Sequence, residues 1–561
     1  MPITWKQFER YWYIFALGVT LASLPFSKLG LSIGLMMMTG GWIVERFDAR
    51  KLLSIMAGRT SREVIIRMIP ISVWLLFEGI AGGFKQFLKH KPALLFSSVF
   101  LLHILGLFIT SDFDYALKDL RTKFPLFLIP LILSTSESFD RKSFYRFMVL
   151  FILAVLVRSV YNTWMIGTDS FVDIREVSRN VSHIIFSLLL SLGIFTLLYF
   201  SVKNKYWTPW MRLLCILVLL WFFVYIILSQ SFTGFSIILI TLLILIPVLI
   251  FKTRNRWLKG GLLLIILIVT LGVFGIIRSI VQDYYRVNPV DMTKLEKVTS
   301  RGNPYIHNIY ASQTENGNHL WIYIQWDEIR SAWNRRSAIK FDSLNKKNEP
   351  VAYTVIRFLT SKGWRKDADA VEKLTGDEID AIERGVANVV FMQNLSIRGR
   401  IYEFLYGFDQ YRETGNPTGS TLMQRLEFWK ASIGIISEHW ITGVGTGDMN
   451  IAFADQYEKM QSKLSPDQRW RSHNQFLSIF VGFGIFGLIW FLTAIFYPPF
   501  MLRRQDDFFV AVFLIIAVLS MITEDTIESQ TGVTFIALFY SLFLFARKEK
   551  DPLSSKTSSH G

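Results

Sequence analysis

Apolar residues fall in long blocks, at roughly 11–27, 30–44, 93–110, 122–136, 145–166, 182–202, 211–228, 231–251, 260–280, 474–496, 508–523 and 531–546, separated by polar links. A bilayer core is spanned by about 20 apolar residues in a helix, so such blocks predict membrane helices. One more block, 69–83, has Arg59, Arg62 and Arg67 before it and Lys85, Lys89 and Lys91 after it. Basic residues on both flanks do not fit a crossing. The block reads as a re-entrant or interfacial segment, with an ordinary thirteenth span as the alternative.

With 69–83 set aside, the pattern predicts an all-α membrane protein of about 12 transmembrane helices. With the N-terminus placed in the cytoplasm, 27 of the 35 Lys and Arg residues outside the long polar insert fall on the cytoplasmic side. Both ends are then cytoplasmic and the insert after the ninth span is external. Counting 69–83 as a span inverts everything after it and loses that bias. The expected organisation is spans 1–9 over residues 1–280, a helical external domain over 281–472, spans 10–12 over 473–546 and a tail over 547–561.

The 561 residues carry a net charge of +16, yet the insert is balanced, with 25 Lys and Arg against 24 Asp and Glu. The excess sits with the membrane part. That placement points to topology and anionic lipid rather than nucleic acid. The single cysteine, Cys215, lies inside an apolar block, which excludes an internal disulfide and a cysteine-based metal site. The first block, with Lys6 and Arg10 ahead of it and a second block close behind, reads as a retained helix.

In the insert, Thr375 and Glu378 have capping-box spacing and predict a helix through Val390. Ser420 or Thr421 can cap the helix bearing Arg425, and Asp448 the next, over 450–460. The turn Gly443-Val-Gly445-Thr-Gly447 follows no strand, so it is a tight turn between helices rather than a dinucleotide loop, although its N–H groups can hold an anion.

Candidate chemistry crowds the external face. His473 and Asn474 stand where a polar segment enters the 474–496 block, after Arg469 and Arg471. A histidine titrates near neutrality and suits general-base work; its plain alternative is a structural side chain. Arg425 offers a planar fork for phosphate oxygens, and its plain alternative is a solvated helix face. Arg158 lies within the fifth block, where a charge is costly unless it snorkels. Arg175, Arg179 and His183 cluster at the outer end of the sixth. Glu524, Asp525, Glu528 and Gln530 fill the link between the last two spans and can orient His473 or a sugar hydroxyl, or simply face water. Asp112-x-Asp114 is read as a solvated loop rather than a metal site.

The run from Arg425 through Phe491 resembles the signature region of the O-antigen ligase and polymerase family of integral-membrane glycosyltransferases. The matching residues are Arg425 with Trp429, Gly443 through Asp448, and His473-Asn474-Gln475-Phe476-Leu477 leading to Gly482-Phe483-Gly484 and Gly487. The last pair of spans, with Thr523-Glu524-Asp525 and Glu528-Ser529-Gln530-Thr531-Gly532, is similar too, as is the layout. The resemblance implies a GT-C-like bundle in a bacterial inner membrane, with a periplasmic loop domain and active site. It implies a glycan donor on undecaprenyl pyrophosphate, an acceptor that is lipid A–core, another glycan or a protein, and surrounding membrane lipids. It implies inversion at the anomeric carbon with no cofactor and no metal. His473 takes the family's base position and Arg425 its pyrophosphate-holding loop arginine. Arg158, Arg179, His183, Arg471, Asn474, Asp448, Glu524 and Gln530 are the expected substrate-binding residues. Many members carry an arginine in a Ser-Arg-Thr-Gly-like motif at the eighth span. Here Ser231-Phe232-Thr233-Gly234 has phenylalanine, and Arg158 or Arg179 is the candidate replacement.

Two other classes remain open on sequence. A polysaccharide transporter predicts paired halves and mid-membrane charge, and neither stands out. A scaffold predicts that alanine at His473 or Arg425 is silent.

Overall fold

All twelve apolar blocks are helical in the computed structural model, which describes residues 5–57, 61–168, 177, 181–203, 207–229, 231–253, 255–392 and 397–548. Among the described residues, seven helices are long and apolar enough to cross a membrane: Arg67–Lys89, Lys91–Ile109, Arg141–Thr168, His183–Val202, Pro209–Leu228, Arg256–Tyr285 and Gln475–Met501. Phe232–Val248, Phe508–Thr523 and Gln530–Leu544 are apolar but shorter.

The helices differ from the blocks in two places. The 122–136 block begins at the end of one helix, Phe113–Lys123, and continues as a second, Pro125–Thr135. Proline at the first position opens a helix well. Its 11 residues extend only about 16 Å, half of the roughly 30 Å hydrocarbon core. Residues 69–83, in contrast, lie inside one long helix, Ser61–Lys89. Glu78 in its middle pairs with Lys51 at 2.8 Å, and Lys51 lies over the Trp74 ring.

The chain forms two compact units, Met1–Leu245 with Arg425–Gly561, and Ile246–Gln424. The division falls at 245/246 and 424/425, whereas the polarity pattern put it at 280/281 and 472/473. In the first unit the central helix is Gln530–Leu544. Every residue from Thr531 to Leu544 is buried, as expected of a helix apolar on all sides. It packs against Lys28–Glu45, Phe113–Lys123, Pro125–Thr135 and Phe508–Thr523. Its Tyr540 stacks on Phe96 with centroids 3.9 Å apart and donates its hydroxyl to the Ile495 carbonyl at 2.7 Å. That hydrogen bond ties the central helix to Gln475–Met501.

The second unit holds Arg256–Tyr285, none of whose apolar stretch is buried. Outward Leu264, Ile268 and Leu271 are what a lipid-facing helix requires. The polar part has its own core around Trp333, Val355, Phe358, Leu359 and Ile382. The capping box at Thr375 and Glu378 forms, but the helix is Gly376–Glu383 and ends before Val390. Gly385, at φ +85°, turns the chain there, as helix-ending glycines do.

Candidate functional site

The site is built on the entry of Gln475–Met501. Asn474 caps that helix, accepting from the Phe476 and Leu477 N–H groups at 3.0 and 3.1 Å, and its amide donates to the Ile522 carbonyl at 3.1 Å. The capping is what its residue type predicts. Two turns on, Gly484 adopts φ +64° and breaks the helical geometry. The turn at 440–445 supplies the hydrogen bonds the helix gives up: Val444 donates to the Val481 carbonyl, Gly445 to the Gly482 carbonyl, and Ile485 donates to the Trp440 carbonyl, each at 2.9 Å. A Cβ on Gly484 would overlap the Ile441 carbonyl. Gly484, at φ +64° and ψ −167°, lies in a region open essentially only to glycine, so Gly484→Ala costs about 1–3 kcal/mol for the backbone alone, with the overlap in addition. Thermal unfolding in detergent checks this; a variant melting with the wild type contradicts the docking described.

The turn's own N–H groups are all consumed. Gly443 donates to the His439 carbonyl, Gly445 to Gly482, and Gly447 to Thr110 Oγ1 at 3.1 Å. The expectation that they can hold an anion is corrected: they are spent docking the turn. The Asp448 reading is corrected likewise. Its carboxylate makes no cap on Met449–Lys459 and instead accepts from the Ser111 and Asp112 N–H groups at 2.8–2.9 Å. Asp112 itself caps Phe113–Lys123 through the Tyr115 N–H.

His473 precedes the cap in the left-handed region, at φ +46°. Such a conformation in a non-glycine residue must be held by its surroundings. Asp525 does so, accepting from the His473 N–H at 3.1 Å and from the Ser472 and Ser478 hydroxyls at 3.1 and 2.8 Å. The imidazole stacks on Phe428, and its Nδ1 lies 2.7 Å from Glu524 Oε2. The other carboxylate oxygen, Oε1, lies 3.4 Å from Arg425 Nη2. One carboxylate thus bridges the histidine and the arginine that lie 48 positions apart in sequence. Arg425 and His473 keep 29% and 30% of their side chains exposed. A carboxylate beside Nδ1 favours the tautomer that carries its proton there, which leaves Nε2 as an acceptor, the arrangement of a base oriented by a third group.

Beneath this lies a buried charge cluster. Glu528 meets Lys123 Nζ at 2.9 Å and Arg471 Nη2 at 3.2 Å, and Lys123 also pairs with Asp119. Gln475 donates to Glu528 and accepts from the Ile527 N–H. Burial acts to raise the Glu528 carboxyl, but Lys123 and Arg471 outweigh it and hold it well below the usual carboxylate range. Burial lifts Asp525, with Glu528 adding to the rise and Arg471 opposing. Burial works against the Arg471 guanidinium, yet Glu528 more than offsets it and keeps it protonated. The adjoining cavity, lined by His103, Lys123, Arg471 and Glu528, is ≈ 10 Å³. That holds about one water, so a sugar does not fit there.

The structure gathers Arg425, His473, Asn474 and Glu524 together, with Arg471 below them as an anchor for the 471–474 segment. Gln530 is elsewhere engaged, donating to Ser32 Oγ at 2.8 Å. Arg158 lies on Arg141–Thr168, 7% exposed, over the Tyr161 ring. His183 begins His183–Lys203. Arg179 and Arg175 lie outside the described residues. Asp119, Lys123 and His103 were missed by the sequence reading. The available signal was the i,i+4 spacing of Asp119 and Lys123 on a helix face where it meets an apolar block.

These features define a helical, multi-pass membrane protein with a histidine–carboxylate–arginine constellation at the end of one membrane helix. Residues 375–492 match the family model described as O-antigen ligase, and over that stretch the chain is O-antigen ligase-like. The family comprises glycosyltransferase-like ligases, which take a glycan donor and an acceptor. No curated protein matches the chain.

Proposed function

We propose that the protein is a glycosyltransferase of the O-antigen ligase type, moving a glycan from undecaprenyl pyrophosphate to a lipid A–core hydroxyl on the periplasmic face of the inner membrane. The observation that carries the reading is the Arg425–Glu524–His473 arrangement, two members of which lie within the matched residues 375–492. His473 Nε2 takes the proton of the acceptor hydroxyl. The hydroxyl oxygen bonds to the anomeric carbon from the face opposite the leaving group. The bond from that carbon to the pyrophosphate oxygen breaks, and undecaprenyl pyrophosphate departs with the electron pair, its charge met by Arg425. Glu524 fixes the imidazole by accepting from Nδ1–H. The buried Arg158 is the candidate second cation for the donor in place of the arginine replaced by Phe232.

The test is transfer with purified protein, undecaprenyl-pyrophosphate-linked glycan and lipid A–core, resolved on a gel. A shifted lipid A–core band is expected. Lengthening of the glycan without lipid A–core reassigns the protein as a polymerase. No product with lipid A–core, glycan or protein acceptors overturns the reading.

A further inference from the structure

We propose that Glu524 couples donor binding to the strength of the base: when the donor pyrophosphate takes Arg425, Glu524 loses its cation and His473 becomes more basic. This rests on the donor and base assignments made above and adds a link between them. The argument is one of valence. Glu524 gives one oxygen to each partner, Oε1 to Arg425 Nη2 at 3.4 Å and Oε2 to His473 Nδ1 at 2.7 Å. The arginine contact is the longer and uses a single nitrogen, so the guanidinium keeps its remaining N–H groups for a second anion. A pyrophosphate oxygen pair fits that fork better than one carboxylate oxygen does. Moving the cation from the carboxylate to the phosphate leaves the negative charge of Glu524 on Nδ1–H alone. A less compensated anion beside an imidazole favours its protonated form.

The other groups facing His473 leave that change readable. Phe428 and Trp470 flank the ring and carry no charge. Asp525 binds the backbone N–H and two hydroxyls, and its charge also acts on the imidazole, whether or not the donor is bound. Arg471 and Glu528, below, neutralise one another. Donor binding thus strengthens the base where the donor and the acceptor meet.

The experiment is histidine-selective NMR of the full chain in nanodiscs, with His473→Asn assigning the resonance and undecaprenyl pyrophosphate as the probe. In the wild type the His473 pKa is expected to rise by about 1 unit on binding, the low end of the effect of one nearby charge. In Glu524→Gln the charge of the pyrophosphate still acts on the ring, so the rise is smaller by the part owed to the released carboxylate, and a rise as large as the wild type's overturns the coupling. In Arg425→Gln the value is already high without the probe and moves little. If undecaprenyl pyrophosphate binds, by its own phosphorus resonance, and the His473 pKa stays put in the wild type, the coupling is overturned while the base assignment stands. If the probe does not bind at all, the donor assignment fails and takes the coupling with it.

Discussion

Alanine at His473 is expected to lower glycan transfer by about 10²–10⁴, the usual worth of a general base, with donor binding kept. On the proposed mechanism the residual rate is that left by Arg425, which still meets the leaving charge. Because His473 sits at φ +46°, alanine also strains the backbone, and a loss of fold would imitate a loss of chemistry. Asparagine separates the two. It tolerates the left-handed region better than most residues, and it leaves the backbone N–H to Asp525 while removing the base. His473→Asn gives up the stacking on Phe428 and the Glu524 contact, so it should melt about 1–3 kcal/mol below the wild type yet stay folded, and lose the same 10²–10⁴ in rate. Gel assay of transfer beside thermal unfolding in the same detergent reads both. A folded asparagine variant transferring at the wild-type rate removes His473 from the chemistry and leaves a scaffold or a transporter as the better account.

How much of this was legible in the sequence follows from which contacts are local. Thr375 with Glu378 as a capping box depends on residues three positions apart, and it forms; the cap at Asn474 is as local, reaching Phe476 and Leu477, but was not read from the sequence. The apolar blocks depend only on composition, and all are helical, although 122–136 is shared between two helices. His473 and Arg425 could be singled out by residue type and setting. Their bridge could not be, because Glu524 lies 51 residues beyond His473, in a link whose acids look alike on paper. Of those acids, Glu524 holds the imidazole, Asp525 the backbone and Glu528 two buried cations. Only the packing of Phe508–Thr523 and Gln530–Leu544 around the cap distributes these roles. The glycine-rich turn misled for the same reason. Its N–H groups are spent on Gly482 and Thr110, and a kink at Gly484 that frees such carbonyls is not written in local propensity.

Glutamine at Glu528 should cost about 3–5 kcal/mol, the usual loss when one partner of a buried ion pair is removed. Glutamine keeps the volume and a carbonyl for hydrogen bonding, so the loss is electrostatic. In the wild type, Lys123 and Arg471 are balanced by Asp119 and Glu528. In the variant Lys123 retains Asp119, and Arg471 is the cation left without its anion. Since Arg471 anchors the segment that presents His473, transfer is expected to fall as well, although Arg425, Glu524 and His473 are all unchanged. The pH dependence has a fixed sign. The folded Glu528 carboxyl is depressed, so its contribution is complete above the unfolded value of about 4.3 and is lost only as pH falls through the folded value. Glu528 itself thus gives the gap in melting temperature between wild type and Glu528→Gln no slope from about pH 5 to 8; the slope there is that of Asp119, whose carboxyl burial pushes up to about 6, with Lys123 opposing and Glu528 adding to the rise. Adding Arg471→Met to Glu528→Gln removes the stranded cation and should restore much of the loss, a non-additivity that a double-mutant cycle measures. A single variant within about 0.5 kcal/mol of the wild type would mean that water, not Arg471 and Lys123, compensates this carboxylate. The cluster would then not be what holds His473 in place.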